Sequence, residues 1–340
     1  MTDFTRILCA VDRSEPSRRA LECALWWART HGADLSVLEV HHLVTMAPET
    51  GDLSTDVAYG ATPDTPVIAS PPTPEERNAQ MLELEDFIFA SRTDGLHIEV
   101  LVDSDVSVAD AIVARADALA ADLIVLGAGE MAGRAEHSAL GQVTTRVLHS
   151  ASCSVLTVPP PAADTMNPSV GGLRRLLCPV DLSDASRQTL DCAAALAQEA
   201  SAHLSVLHVV ELVSEVAALA YDWDEYREVR IEPACEQLVG LIGAVVGKTK
   251  PVEEIVAAGA APSEILKMAM ECEADLIVMG ARGADRPPRA AAKSTGEMVT
   301  RDARCPVLFV CREIAPAVDL DREPTLGSNV AVEAGFEAEG

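Results

Sequence analysis

The sequence predicts an α/β protein of two tandem five-stranded parallel-sheet domains, each an α/β sandwich, the two paired as a pseudo-dimer. Two observations carry this. Setting residues 6–40 against 175–209, a constant offset of 169, gives 18 identities in 35 positions, so the chain is a tandem duplication. Within each half, short runs that are apolar on every residue, such as 276–279, alternate with helical segments. Strands buried on both faces belong to a parallel sheet covered by helices, with right-handed crossovers.

The elements follow in order. Residues 6–11 are a buried strand, and Asp12-Arg13-Ser14-Glu15-Pro16 opens a helix, with Ser14 as N-cap and Pro16 near the first turn. That helix runs over 17–31 and includes Trp26 and Trp27 as packing residues; Gly32 ends it, and 35–40 is the next strand. Residues 41–74 hold six prolines among small polar residues and read as a mobile insertion. A helix at 75–91, a strand at 97–102, a helix at 107–120, a strand at 122–127, a helix at 141–150 and a strand at 153–158 complete the first half. The second half gives strands at 175–180, 204–209, 252–257, 275–280 and 305–310, and helices near 185–200, 226–246, 262–272 and 294–302. The expected domains are 1–158 and 173–311, joined by a Pro- and Gly-rich linker at 159–172. The acidic tail at 312–340 has few large apolar residues and is expected to be disordered.

Composition excludes some partners. With 53 acidic residues against 26 basic, the formal charge is −27, a field that repels nucleic acid and anionic membrane. No apolar run approaches the about 18 residues of a membrane span, and the N-terminus has no basic segment leading into an apolar one, so a cytoplasmic protein is expected. The nine cysteines include no Cys-x-x-Cys, and most sit in apolar runs, as buried reduced thiols would. His41-His42 has no Cys or carboxylate constellation beside it, so no metal site is expected.

The stretch from Asp275 through Gly280-Ala281-Arg282-Gly283 is the most informative. A buried strand ends in two glycines three apart, which permit a sharp turn and a close ligand approach. Lys293-Ser294-Thr295 then starts a helix, whose free N–H groups suit an anion. Ligands of parallel sheets sit beyond the carboxyl ends of the strands at the switch point, and both Asp181 and Gly280 lie at such ends. The plainer alternative also fits: a glycine turn, with Asp12 and Asp181 helping Ser14 and Ser183 cap their helices and Ser294 capping its own.

Cys178-Pro179-Val180-Asp181-Leu182-Ser183, then Asp275 to Gly280 with Gly283 and Ser294, and finally Arg304-Cys305-Pro306-Val307-Leu308 resemble the universal stress protein family. The resemblance covers residues 4–158 and 173–311. It implies an adenine-nucleotide-binding α/β fold, and in the ATP-binding branch a Gly-x-x-Gly-x9-Gly-Ser/Thr loop for the phosphates. For the second half it implies a site for ATP, with Mg²⁺, at Asp181, Ser183, Val209, Gly280, Arg282, Gly283, Lys293, Ser294 and Thr295. The weaker first-half counterparts are Asp12, Val40, Gly127 and Gly141. The sequence departs from the motif in both copies: Lys293 replaces the last glycine of the second, while Glu130 and Gln142 replace the second glycine and the hydroxyl of the first.

Charge separates the copies further. Residues 282–293 carry Arg282, Arg286, Arg289 and Lys293 against Asp285, a net +3; residues 129–141 carry Arg134 against Glu130 and Glu136, a net −1. Only the second loop offers polyphosphate a positive potential. Two functions stay open: a stress regulator that holds nucleotide without rapid turnover and acts on an unknown protein partner, or a scaffold without nucleotide that binds proteins or an apolar ligand. An adenylating enzyme is disfavoured, as neither its Ser-Gly-Gly-x-Asp-Ser nor its His-Ile-Gly-His motif occurs, and no catalytic residue is assigned. The last strand of each half would be an exposed apolar edge alone, so the two edges are expected to pair inside one chain; whole chains forming a homodimer is compatible with this.

Overall fold

A computed structural model describes residues 4–43, 72–91, 95–129, 141–160, 172–211, 227–246, 252–281 and 294–311. The first half gives β1 (Arg6–Val11), α1 (Glu15–His31), β2 (Asp34–His42), α2 (Pro74–Phe89), β3 (Ile98–Asp105), α3 (Val108–Leu119), β4 (Leu123–Gly127), α4 (Gln142–Ser150) and β5 (Ser154–Val158). The second gives β6 (Arg175–Val180), α5 (Asp184–Ala200), β7 (His203–Glu211), α6 (Glu232–Val245), β8 (Val252–Gly259), α7 (Ala261–Glu271), β9 (Leu276–Gly280), α8 (Thr295–Asp302) and β10 (Val307–Val310). Most of the predicted insertion, both glycine loops past their first residues, the linker centre and the acidic tail lie outside the described residues.

Local chemistry explains the element ends. Ser14 caps α1 by accepting from Ser17 N, and Gly32 closes it in the left-handed region at φ 64°. Thr73 and Glu76 form a capping box on α2. The helix expected from residue 226 begins instead as a π-turn at Arg227–Ile231, and the α-helical pattern starts where Pro233 removes a backbone donor. His41 and His42, expected in the insertion, are the last residues of β2, opposite Ser104 and Asp105.

All ten strands join one sheet in the order β3-β2-β1-β4-β5-β10-β9-β6-β7-β8. Neighbours within each half run parallel; β5 and β10 meet antiparallel, with Leu156 opposite Leu308. Residues 153–158 and 305–310 correspond at an offset of 152, so Leu156 and Leu308 are equivalent residues facing each other on the pseudo-two-fold axis. Joining the two edges removes both apolar edges from water. Helices α1, α2, α5 and α6 cover one face through residues such as Trp27, Leu84, Leu190 and Leu238. Helices α3, α4, α7 and α8 cover the other through Ile112, Val147, Ile265 and Val299, and each core runs unbroken across both halves.

Two aspartates lock the strand starts in register. Asp275 is 4% exposed, and its Oδ2 accepts from Arg174 N at 2.7 Å and Arg175 N at 2.8 Å, tying β9 to β6. Asp122 does the same for β4 and β1 through Thr5 N at 2.8 Å and Arg6 N at 3.1 Å. Asp275→Ala leaves two donors unpaired, and each such donor costs about 1–3 kcal/mol. We expect denaturant unfolding to report a loss of about 2–4 kcal/mol, with Asp275→Asn, which keeps an acceptor oxygen, losing clearly less; equal losses for the two variants would refute this role.

Candidate functional site

Each half has its switch point at its first strand: β1 lies between β2 and β4, and β6 between β7 and β9. In the second half, Asp181 follows β6 and builds a tight turn. Its Oδ1 accepts from Ser183 N at 3.1 Å, Ser183 Oγ at 2.6 Å and Ser186 Oγ at 2.6 Å, while Asp181 N donates to Ser186 Oγ at 3.1 Å. This turn forces Leu182 to φ 60°. Ser183 holds the N-cap position of α5, but its hydroxyl is engaged by Asp181 and makes no cap bond.

The first half repeats the turn. Asp12 Oδ1 accepts from Ser14 N at 3.0 Å and from Ser17 Oγ, and Arg13 takes φ 61°. Burial pulls the Asp12 carboxyl up, but the hydrogen bonds from Ser14 and Ser17 outweigh it and hold it below the usual carboxylate range. In both copies, then, the aspartate shapes the backbone between the first strand and its helix.

Beyond the turns the copies diverge. Arg13 reaches from the end of β1 to the end of β2, where its Nε lies 2.8 Å from Glu39 Oε1, and its Nη1 pairs with Glu83 on α2. Glu39 is buried, and His41 Nε2 lies 3.6 Å from its Oε2, beyond hydrogen-bond reach. Burial raises the Glu39 carboxyl, and Arg13 and then His41 offset part of that rise. At offset 169 the second half has Leu182 for Arg13 and His208 for Glu39. His208 Nδ1 lies 2.9 Å from Val180 O, an acceptor only, so that nitrogen carries the proton.

The glycine ends differ as well. A Cβ on Gly127 would stand 3.1 Å from the Pro16 carbonyl group, and one on Gly129 would stand 2.8 Å from Pro16 Cγ. In the first half these glycines admit the ring that opens α1. Thr144 Oγ1 adds a bond to Gly127 O at 3.1 Å, and a Cβ on Gly141 would meet Gly129 O at 3.3 Å, so the loop ends are drawn together. The second half has Ala185 in place of Pro16.

At the start of α8, Ser294 Oγ accepts from Glu297 N at 3.2 Å, and Glu297 Oε2 accepts from Ser294 N at 3.0 Å. This capping box places a carboxylate where an anionic ligand would use the same N–H. Glu297 Oε1 lies 3.0 Å from His149 Nε2 on α4, so the box also bridges the two halves.

The structure thus brings Asp181, Ser183, Gly280, Ser294 and Thr295 to the carboxyl end of the second switch point, with Val209 near the end of the neighbouring β7. Asp12, Val40, Gly127 and Gly141 hold the corresponding first-half places. Arg282, Gly283 and Lys293 lie outside the described residues, as do Arg286 and Arg289. Glu297 is absent from the sequence-based site, though Ser294-Thr295-Gly296-Glu297 carries the Ser-x-x-Glu signal. Arg13 and Pro16 have no such signal for their tertiary roles. Among the described residues, no helix is long and apolar enough to cross a membrane, and no three His, Cys, Asp or Glu residues cluster as metal ligands.

Comparison with known proteins agrees with this architecture. A model of the universal stress protein family matches residues 3–159 and again 172–310. The universal stress protein YxiE of Bacillus subtilis is 35% identical over 144 residues, spanning 40% of this chain and 97% of the relative. Among solved structures, a universal stress protein from Archaeoglobus fulgidus aligns at a TM-score of 0.60 and 20% identity, covering 92% of this chain and 98% of that one. A functionally unknown protein from Pseudomonas aeruginosa aligns at a TM-score of 0.60 and 18% identity, covering 92% and 94%. At these identities the two structural likenesses concern the fold.

Proposed function

Because the chain belongs to the universal stress protein family, its two domains being successive members in one polypeptide, we propose that it is a cytoplasmic stress-response regulator whose second domain holds ATP or a related nucleotide. It does so without efficient turnover and acts through protein contacts. The observation that supports this most is the asymmetry of the two switch points. The first is crossed by Arg13, Glu39 and Glu83 and packed by Pro16; the second has Leu182, His208 and Ala185 at the positions matching Arg13, Glu39 and Pro16. The net +3 of residues 282–293 favours the same domain for an anion. Nucleotide bound there would supply a ligand-dependent surface for a protein partner.

Calorimetric titration of the nucleotide-stripped chain with Mg-ATP tests the reading. One site of micromolar affinity is expected, lost in Gly283→Glu, which copies Glu130 of the first half. An absence of heat, with no nucleotide carried through purification, would overturn it in favour of the scaffold without nucleotide. The capping box is what favours that second reading, since Glu297 already occupies Ser294 N. Glu297→Ala frees this donor and removes a negative charge from the helix start. We expect ATP affinity to rise about tenfold, or about 1.4 kcal/mol, while loss of half the box lowers thermal stability slightly. Unchanged affinity would show that the nucleotide does not approach the start of α8.

A further inference from the structure

The β5–β10 junction pairs Val307 with Thr157, Leu308 with Leu156 and Phe309 with Val155. Continuing that register by two residues sets Cys311 opposite Cys153, each one position outside its strand. The backbone is held at this point: Cys311 N donates to Ser154 Oγ at 3.4 Å, and Cys311 O accepts from Gln188 Nε2 at 3.4 Å. Residues directly opposite in an antiparallel pair have Cα atoms about 4.5 or 5.5 Å apart and side chains on one face. Both spacings lie inside the range of about 4.4–6.8 Å that a disulfide spans. Parity along the strands agrees. Cys153 packs against the core face that carries Val155, Val307 and Phe309, and Cys311 lies two residues beyond Phe309. Burial pushes the Cys153 thiol up to about 12, and Cys311 is close enough to be the next largest contributor to that rise. Both residues are half-buried, within reach of a small oxidant, whereas Cys9, Cys23, Cys178, Cys192 and Cys305 are buried.

We propose that Cys153 and Cys311 form a reversible disulfide across the junction of the two domains, made by an oxidant of the peroxide class. The Cys311 thiolate attacks one peroxide oxygen and expels hydroxide, which takes up a proton to become water; Cys311 is left as a sulfenic acid. Cys153 Sγ then attacks that sulfur, the sulfur–oxygen bond breaks, and the second oxygen leaves as water with the Cys153 proton. In total two thiols and one hydrogen peroxide give one disulfide and two waters, each sulfur losing one electron and each peroxide oxygen gaining one. A thiol raised by burial is a slow first nucleophile, which assigns Cys153 the second step. The pseudo-two-fold axis relates this pair to Cys305 and Pro159, so the bridge has a counterpart position without a second cysteine. One bond therefore joins the halves, whether or not nucleotide binds.

The test uses the full chain with a protease recognition site inserted between Pro160 and Gly172. After hydrogen peroxide treatment, remaining thiols are blocked, the linker is cut and the products are run on a denaturing gel without reductant. The halves are expected to migrate as one band that dithiothreitol resolves into two. Peptide mapping of the uncut chain is expected to return a linked pair containing Cys153 and Cys311, lost in both Cys153→Ser and Cys311→Ser. Halves that separate without reductant, or a mapped bond between other cysteines such as Cys272 and Cys305, would overturn the proposal. Mapping on the unsubstituted chain decides the matter even if a serine variant fails to fold.

Discussion

A chain carrying both Leu156→Ala and Leu308→Ala is expected to lose about 4–7 kcal/mol of unfolding free energy. Both leucines are 0% exposed, and they face each other where the antiparallel junction crosses the pseudo-two-fold axis. A buried Leu→Ala change costs about 2–5 kcal/mol through lost burial and the cavity left behind. The two cavities would merge, so the double variant should depart from the sum of the singles. Guanidinium unfolding of both single variants and the double, followed by backbone and side-chain signals separately, measures this. The loss should fall on the interface, so the double variant is also expected to unfold in two resolved steps rather than one. A total loss under about 2 kcal/mol would mean that this strand pair does not hold the halves together.

Arg13→Leu, which copies Leu182 of the second half, is expected to cost about 2–3 kcal/mol at neutral pH. Removing one partner of a fully buried ion pair costs about 3–5 kcal/mol because the other charge stays behind. The expectation here is lower because the Arg13 side chain keeps 32% of its surface in water, while that of Glu39 keeps 7%. The pH dependence follows from the direction of the Glu39 shift. Its carboxyl is already raised by burial, and Arg13 is the largest opposing influence; without Arg13 it rises further. The folded variant then holds a proton at pH values where an unfolded glutamate, with a pKa of about 4.3, has lost its own. Folding is therefore penalised at neutral pH, and the penalty fades as pH falls toward that unfolded value. The gap between variant and parent should be widest near neutral pH and small near the unfolded pKa of about 4.3. Adding Glu39→His copies the second half at the other partner of the ion pair and should restore most of the stability, since His208 satisfies its Nδ1 against Val180 O. A gap of equal size at both pH values would show that Glu39 does not depend on Arg13 for its charge.

The chain by itself determined the α/β class, the duplication and the order of the elements. Those rest on local signals: apolar runs for strands, Ser14 and Gly32 at helix ends, and 18 matches at one offset. It also determined that the last strands would pair, because two apolar edges of equal length have one economical way to leave water. The net charges of the two glycine loops, +3 and −1, likewise distinguish the copies by composition alone. What the sequence did not carry was how each switch point is filled. Arg13 meets Glu39 and Glu83 at separations of 26 and 70 residues, and Pro16 meets Gly127 more than a hundred residues away. Glu297 bonds within its own helix start, a pattern visible in the chain, but its partner His149 belongs to the other half. The proposed pairing of Cys153 with Cys311 likewise follows only from continuing the register of the junction, in which Phe309 lies opposite Val155. Backbone propensity and burial act over a few residues and leave a periodic trace; a salt bridge or a cross-strand pair depends on where two distant segments are set down, and only the packed sheet decides that.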